Sequence, residues 1–169
     1  MILILVPVSW IAISALASNR VQNITHHQFT TSKPFISDKM QKQSIVGKPL
    51  LINGLWMITV TNVSTSHGGN VASPAPGDIY LVVEVALKNR ATNVQTVSHA
   101  LMFTFRDSTG RQYKSQNVSF GAQPDGVVPP GGSLHGFLVY EVPTSLHQFT
   151  LGFRPDASTN SWTDWNITI

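Results

Sequence analysis

Cysteine is absent from this chain of 169 residues. That excludes disulfides, thiolate metal sites, a catalytic thiol and a lipid-accepting cysteine behind an export signal. Charge is scarce too: 11% of residues are charged, against roughly 25% in an average soluble domain, so Ser, Thr, Asn and Gln must dress the surface. The formal charge of +3 is not carried by a basic domain. Residues 1–47 hold Arg20, Lys33, Lys39 and Lys42 against Asp38, whereas residues 48–169 hold seven basic and seven acidic side chains. Without a cluster of Lys and Arg to displace counterions from phosphates, nucleic acid is not an expected partner. A length of 169 residues suits one core with appendages.

One long apolar run is present, at the start. Residues 2–17 read ILILVPVSWIAISALA and end in Ala15-Leu16-Ala17, a small-x-small pattern that precedes signal-peptidase cleavage. The expected cut lies between Ala17 and Ser18. The run is shorter than the roughly 20 residues that cross a bilayer comfortably, and Pro7 weakens a persistent membrane helix. Nothing basic precedes it, so retention as a short anchor and a start upstream of Met1 both stay open. From Ser18 to Val46 the chain is polar and aperiodic, and is expected to be a flexible stalk with a reach of roughly 30 Å. Any attachment to a membrane would run through the N-terminal segment alone. The pair His26-His27 lacks further ligands and reads as solvated linker.

From Gly47 to Ile169 short apolar runs of period two alternate with Gly, Pro, Asn and Asp, the pattern of half-buried strands and tight turns. Asn53-Gly54 between Leu50-Leu51-Ile52 and Leu55-Trp56-Met57 predicts a type I′ hairpin. Strands are expected at 55–63, at 79–89 with Leu81, Val83, Val85 and Leu87 on one face, and at 101–107. A turn through Asp107-Ser108-Thr109-Gly110 leads into 111–113. Residues 134–142, 149–154 and 164–169 complete the set, while 121–132 reads as a long turn-rich connection. About eight strands without helical period predict an all-β fold, a sandwich of two antiparallel sheets.

Three segments carry a family likeness: Pro76-Gly77-Asp78-Ile79-Tyr80-Leu81-Val82-Val83-Glu84-Val85-Ala86-Leu87-Lys88-Asn89, then Phe103-Thr104-Phe105-Arg106-Asp107-Ser108-Thr109-Gly110-Arg111-Gln112-Tyr113, then Pro129-Pro130-Gly131-Gly132-Ser133-Leu134-His135-Gly136-Phe137-Leu138-Val139-Tyr140-Glu141-Val142-Pro143. With these the chain resembles the extracellular immunoglobulin-like domains of secreted bacterial immunoprotective antigens, a domain of unknown function. The resemblance implies an immunoglobulin-like antiparallel β-sandwich over 47–169, exported to the exterior or the outer face of the cell envelope. It implies no catalytic residues and no cofactor.

Searching the residues for chemistry gives the same direction. Gly132-Ser133-Leu134-His135-Gly136 lacks Gly-x-Ser-x-Gly spacing, and Ser133 opens a strand instead of capping a strand-to-helix elbow. Asp156-Ala157-Ser158-Thr159-Asn160 begins like a calcium loop but has Ser161 and Ile167 where that loop needs Gly and Glu. No metal or cofactor is expected. The leading expectation is a non-catalytic interaction module for a protein or glycan of the envelope. Alternatives are a structural accessory domain without a ligand, and a hydrolase using dispersed carboxylates with His99 or His135. Counting direction changes along the strands places connections 90–98, 119–132 and 155–163 at the end of Asn53-Gly54, remote from the stalk. There Asn93, Gln123, Asp125 and Trp162 are the candidate contact residues, since binding residues commonly sit on loops of a rigid scaffold.

Overall fold

The computed structural model describes residues 44–69, 72–158 and 160–169. The expected cleavage at Ala17 and Ser18, the His26-His27 pair and the stalk as far as residue 43 lie outside the described residues. The described fold begins at Ser44, which is buried and bridges in parallel to Trp165, three residues before the boundary read at Gly47.

Nine strands and one helical turn follow in order: β1 Leu50–Ile52, β2 Trp56–Ser66, β3 Asp78–Asn89, β4 Gln95–Val97, α1 His99–Met102, β5 Phe103–Asp107, β6 Gly126–Val128, β7 Ser133–Pro143, β8 Gln148–Phe153 and β9 Thr163–Thr168. One antiparallel sheet has the order β1-β2-β3-β7, a second β5-β8-β9, and β4 pairs with β6 in a small ribbon. The all-β antiparallel sandwich expected from the pattern is therefore present. Asn53 and Gly54 both take positive φ, and Leu55 N donates to Ile52 O at 2.9 Å, as a type I′ turn requires.

Alternation explains the core. Leu81, Val83, Val85 and Leu87 of β3 are at most 1% exposed and meet Trp56, Ile58 and Val60 of β2, Leu138, Tyr140 and Val142 of β7, and the second sheet's Phe105, Leu151, Phe153, Trp165 and Ile167. In β2 the inward parity changes partway: the register shifts between Val60 and Asn62. Thir extra residue, Thr61, sends its hydroxyl to Glu84 O at 3.2 Å, and Val63 then takes the inward place opposite Val83. This is a β-bulge, which inserts one residue and so exchanges faces beyond it. The two sheets meet through aromatic rings. Phe105 stacks on Tyr140 at 4.1 Å between centroids and on Phe149 at 5.2 Å.

Four expectations are corrected. Residues 95–97 and 126–128 were read as connections but form β4 and β6, with Val97 and Val128 buried. Leu101 was placed at a strand start, yet it belongs to α1 and is 55% exposed. Residues 111–113 form no strand and touch β5 through one bridge, Arg106 to Gln112. Finally, residues 119–124, expected as part of an end connection, belong to a paired segment, 115–124. It follows the outer edge of β7, with a bridge from Ser115 to Tyr140, Gln116 N donating to Val139 O at 2.7 Å and Phe137 N to Ala122 O at 2.9 Å. Val118 and Phe120 cover a second apolar cluster of Tyr80, Val82 and Val139. Gly136 makes this close approach possible, because a Cβ there would fall 2.5 Å from Pro124 N.

At the end remote from Asn53-Gly54, Asp107 organises the turn after β5. Its carboxylate accepts from Thr109 Oγ1 at 2.6 Å, Thr109 N at 2.8 Å, Tyr113 OH at 2.9 Å and Arg111 N at 3.1 Å. The Thr109 hydroxyl foremost, opposed by burial and reinforced by the other donors, holds this carboxyl below its ordinary range. A depressed folded-state value stabilises the fold above the unfolded value, and the contribution disappears as pH falls through the lowered one. Asp107→Asn should lower the thermal midpoint at neutral pH and flatten its decline below about pH 4. Parallel acid curves for variant and wild type would contradict this. In the core, Phe105→Ala should cost about 3–5 kcal/mol by chemical denaturation, whereas Val127→Ala on the surface should stay within about 0.5 kcal/mol.

Candidate functional site

The strand registers bring the turn at Asn53-Gly54, the 90–98 segment, the entry to β7 and the 154–162 loop to one end: Ile52 pairs with Trp56, Trp56 with Asn89, Lys88 with Ser133, and Phe153 with both Phe103 and Thr163. Buried Asn89 organises this end. Its Nδ2 donates to Asn93 O and Val128 O, both at 2.9 Å, and its Oδ1 accepts from Ala91 N at 2.8 Å. Three backbone groups from the 90–94 turn and β6 are satisfied by one side chain. That contact places β4 beside β6, with Thr96 opposite Val127.

The ribbon has two unlike faces. Val97 and Val128 are 2% exposed and join the core. The alternation of the pleat sends Val94, Thr96 and Val127 outward, where Val127 is 70% and Val94 56% exposed. Beside them α1 presents Leu101, and a depression of about 440 Å³ runs between Thr96, Leu101 and Met102 on one side and Pro155 and Asp156 on the other. Single exposed aliphatic residues are ordinary on a surface; here three lie at one end of the sandwich.

Two side chains fix α1 from outside it. Ser98 at its N-terminus makes no side-chain cap; instead Asp125 Oδ1 accepts from His99 N at 2.7 Å and Oδ2 meets His99 Nδ1 at 2.6 Å. At the other end Arg154 N donates to Met102 O at 2.9 Å and Arg154 Nε to Leu101 O at 2.7 Å. The same guanidinium lies 5.0 Å over the Trp162 ring, a cation–π contact. Trp162 in turn sits over Gly152, where an added Cβ would be 3.2 Å from Trp162 Cε3 and 2.6 Å from Thr104 Oγ1.

Of the four residues singled out from the sequence, Asp125 and Trp162 thus converge on α1, the latter through Arg154. Asn93 is exposed and joins the Asn89 turn, accepting from Gln95 Nε2 through Oδ1 at 2.9 Å. Gln123 lies apart, on the segment beside β7, with Nε2 3.4 Å from Gln116 O. Sequence reading missed Asn89, Val94, Leu101, Val127 and Arg154. Asn89 was visible only as a strand breaker, and nothing in the local pattern shows that Val94 and Val127 become neighbours.

The two histidines weighed for hydrolysis lie in separate places. His135 Nε2 meets Glu84 Oε1 at 2.8 Å on the outer face of β3 and β7, while His99 is held by Asp125. The Asp156 segment, weighed as a calcium loop, closes on itself: Asp156 Oδ1 accepts from Ser158 N and Oδ2 from Ser158 Oγ, each at 2.8 Å. The Ser158 backbone bond first, and its hydroxyl second, hold that carboxyl below its ordinary range. Among the described residues no group of three His, Asp or Glu side chains gathers as a metal site.

A family model described as Domain of unknown function (DUF4352) matches residues 44–162. No curated protein matches the chain. Among solved structures, the chain is similar to ycdA of Bacillus subtilis strain 168, described as a proposed lipoprotein, with 16% identity, TM-score 0.58 and coverage of 68% of this chain and 37% of that one. An uncharacterized β-sandwich protein of Clostridium difficile 630 is 17% identical at TM-score 0.52, over 73% of this chain and 92% of that one. The secreted protein MPT63 of Mycobacterium tuberculosis is 12% identical at TM-score 0.51, over 75% and 96%. At these identities the likeness is one of fold. The chain spans about a third of the ycdA protein's length.

Removing the Asn89 amide should leave Asn93 O, Val128 O and Ala91 N without their partner. We expect Asn89→Ala to cost about 1–3 kcal/mol and to accelerate amide exchange at Ala91 and along β4 and β6 before it affects β3. Unchanged exchange at Ala91 would show that the end is held by other contacts.

Proposed function

The chain belongs to the DUF4352 family, and from that premise we propose that it is a non-catalytic interaction module of the exterior or cell envelope, kin to the immunoglobulin-like immunoprotective antigens, that meets its partner with the end carrying Val94, Leu101 and Val127. The observation that carries this reading is the outward aliphatic face of the β4–β6 ribbon beside a depression on a fixed scaffold. Apolar groups at the centre of a contact with polar groups around it are what stable recognition uses. Asn93, Gln95 and Thr96 supply such a polar surround here.

Location outside the cytoplasm is supported by the secreted MPT63 and the proposed lipoprotein ycdA among the structural neighbours, together with Ala15-Leu16-Ala17 in the sequence. A non-catalytic role is supported by the use of the polar side chains. The carboxylates of Asp107 and Asp156, whose ionisation is displaced, are committed to closing turns, and Asp125 is committed to α1. In this reading Asp125, Arg154 and Trp162 position the contact surface, while Val94, Leu101 and Val127 make the contact.

Capture from native envelope material by the tagged full-length chain tests the proposal when quantified for surface variants. Val94→Asp combined with Val127→Asp should reduce recovery of specific partners by about tenfold or more, a loss of about 1.4 kcal/mol or more, with the thermal midpoint retained. Ser73→Asp, at the opposite end, should leave recovery unchanged. The reverse result, loss with Ser73→Asp and full recovery with the paired change, would move the contact surface to the 64–78 end.

A further inference from the structure

A second concavity lies on the flank of the sandwich, where the chain passes between sheets. Tyr113 N still donates to Phe105 O at 2.9 Å, on the edge of β5, but two residues later Ser115 bridges to Tyr140 on β7. The crossing leaves a cleft of about 400 Å³ between the two edges, with His99 and Ala100 of α1 at its rim. Beneath it lies the stacked and buried pair Phe105 and Tyr140, and Phe103 and the Tyr113 ring line it, the latter fixed by the bond from its hydroxyl to Asp107. Such a volume, apolar below and polar at the edge, falls within the range of small-molecule sites.

The polar groups around this cleft are mixed, with Lys114 the cation among them and the Asp125 carboxylate held against the His99 ring behind it. Ser115 Oγ is buried and has no hydrogen-bond partner, an arrangement that costs free energy unless a ligand supplies one. Lys114 is exposed at the cleft and forms no ion pair among the described residues. No Asp or Glu lines the cleft. Tyr140 keeps its proton, because burial pushes the phenol far above its ordinary range.

We propose that this cleft binds a small amphipathic carboxylate, with its apolar body against Phe103 and the Tyr113 ring and its acid group received by Lys114 and Ser115 Oγ. The site is separate from the aliphatic end, although α1 borders both: Ala100 faces the cleft, and Leu101 the depression beside β4. Ligand binding and partner capture are therefore separable measurements.

The test is titration of the full-length chain with 4-phenylbutyrate and, in parallel, with uncharged 4-phenylbutanol, followed by calorimetry and by amide chemical shifts. The acid should bind saturably, shift the amides of Phe105, Lys114 and Ser115, and bind about tenfold more tightly than the alcohol. Lys114→Ala, a surface change, should erase most of that preference while leaving alcohol binding intact. Ala100→Trp at the rim should block both probes with the circular dichroism spectrum unchanged. Equal affinity for acid and alcohol, absence of saturation at millimolar concentration, or shifts confined to Leu101 and Asp156 would each overturn the assignment.

Discussion

A fully buried amide side chain at the end of the central strand sets the form of the end that carries β4 and β6. Asn89 enters the interior because it takes the next inward position of β3, two residues after Leu87, and a buried amide must find partners or destabilise the fold. Its partners come from segments 4 and 39 residues away along the chain. Meeting that requirement draws the 90–94 turn and β6 together, and the pairing of β4 with β6 follows. With Val97 and Val128 turned into the core, the pleat leaves Val94 and Val127 no place but outside. The exposed aliphatic face is thus a geometric consequence of satisfying one polar group.

The flank obeys a different constraint. Two sheets that share one aromatic stack through Phe105 must be joined where the chain leaves β5 for β7, and backbone groups on both edges need partners. Residues 111–113 serve β5 and residues 115–122 serve β7. No short segment can pair with both edges at once, so a gap opens at the crossing. The edge of β7 is covered by the same segment that buries Tyr80, Val82 and Val139 beneath Val118 and Phe120. Covering an edge in this way also removes a template for unwanted strand pairing.

The long strands were legible because their signal is local. Leu81, Val83, Val85 and Leu87 reveal their face by alternation alone, and Asn53-Gly54 reveals its turn by the two positive φ angles that such a pair tolerates. Counting antiparallel order also put 90–98 and 155–163 at the Asn53-Gly54 end, but 119–132, put there by the same count, in part runs along the edge of β7. What escaped was non-local. A three-residue strand such as Gly126–Val128 has no period to read, and its identity depends on Gln95–Val97 across a long loop. The bulge at Thr61 was hidden in a run of Thr, Asn and Val that fits either face. Helical α1 was masked by the apolar pattern continuing into Phe103 and Phe105. Its own cap, Ser98, makes no side-chain bond, and the cap that holds it arrives from Asp125.

This distinction bears on how binding residues are chosen from a sequence. Conspicuous side chains such as Trp162 and Asp125 attract notice because they can make strong directional contacts, but a fold of few charges has few such groups with which to secure its own loops. Here both converge on α1: Asp125 by direct hydrogen bonds, Trp162 through the Arg154 guanidinium. With those polar groups engaged in the scaffold, solvent at this end meets Val94, Leu101 and Val127. These residues carry no directional chemistry, and only their arrangement in space gives them a role. For a weakly charged sandwich, the residues that organise such an end and the residues it exposes are therefore different sets, and the second set becomes visible only when the first has been placed.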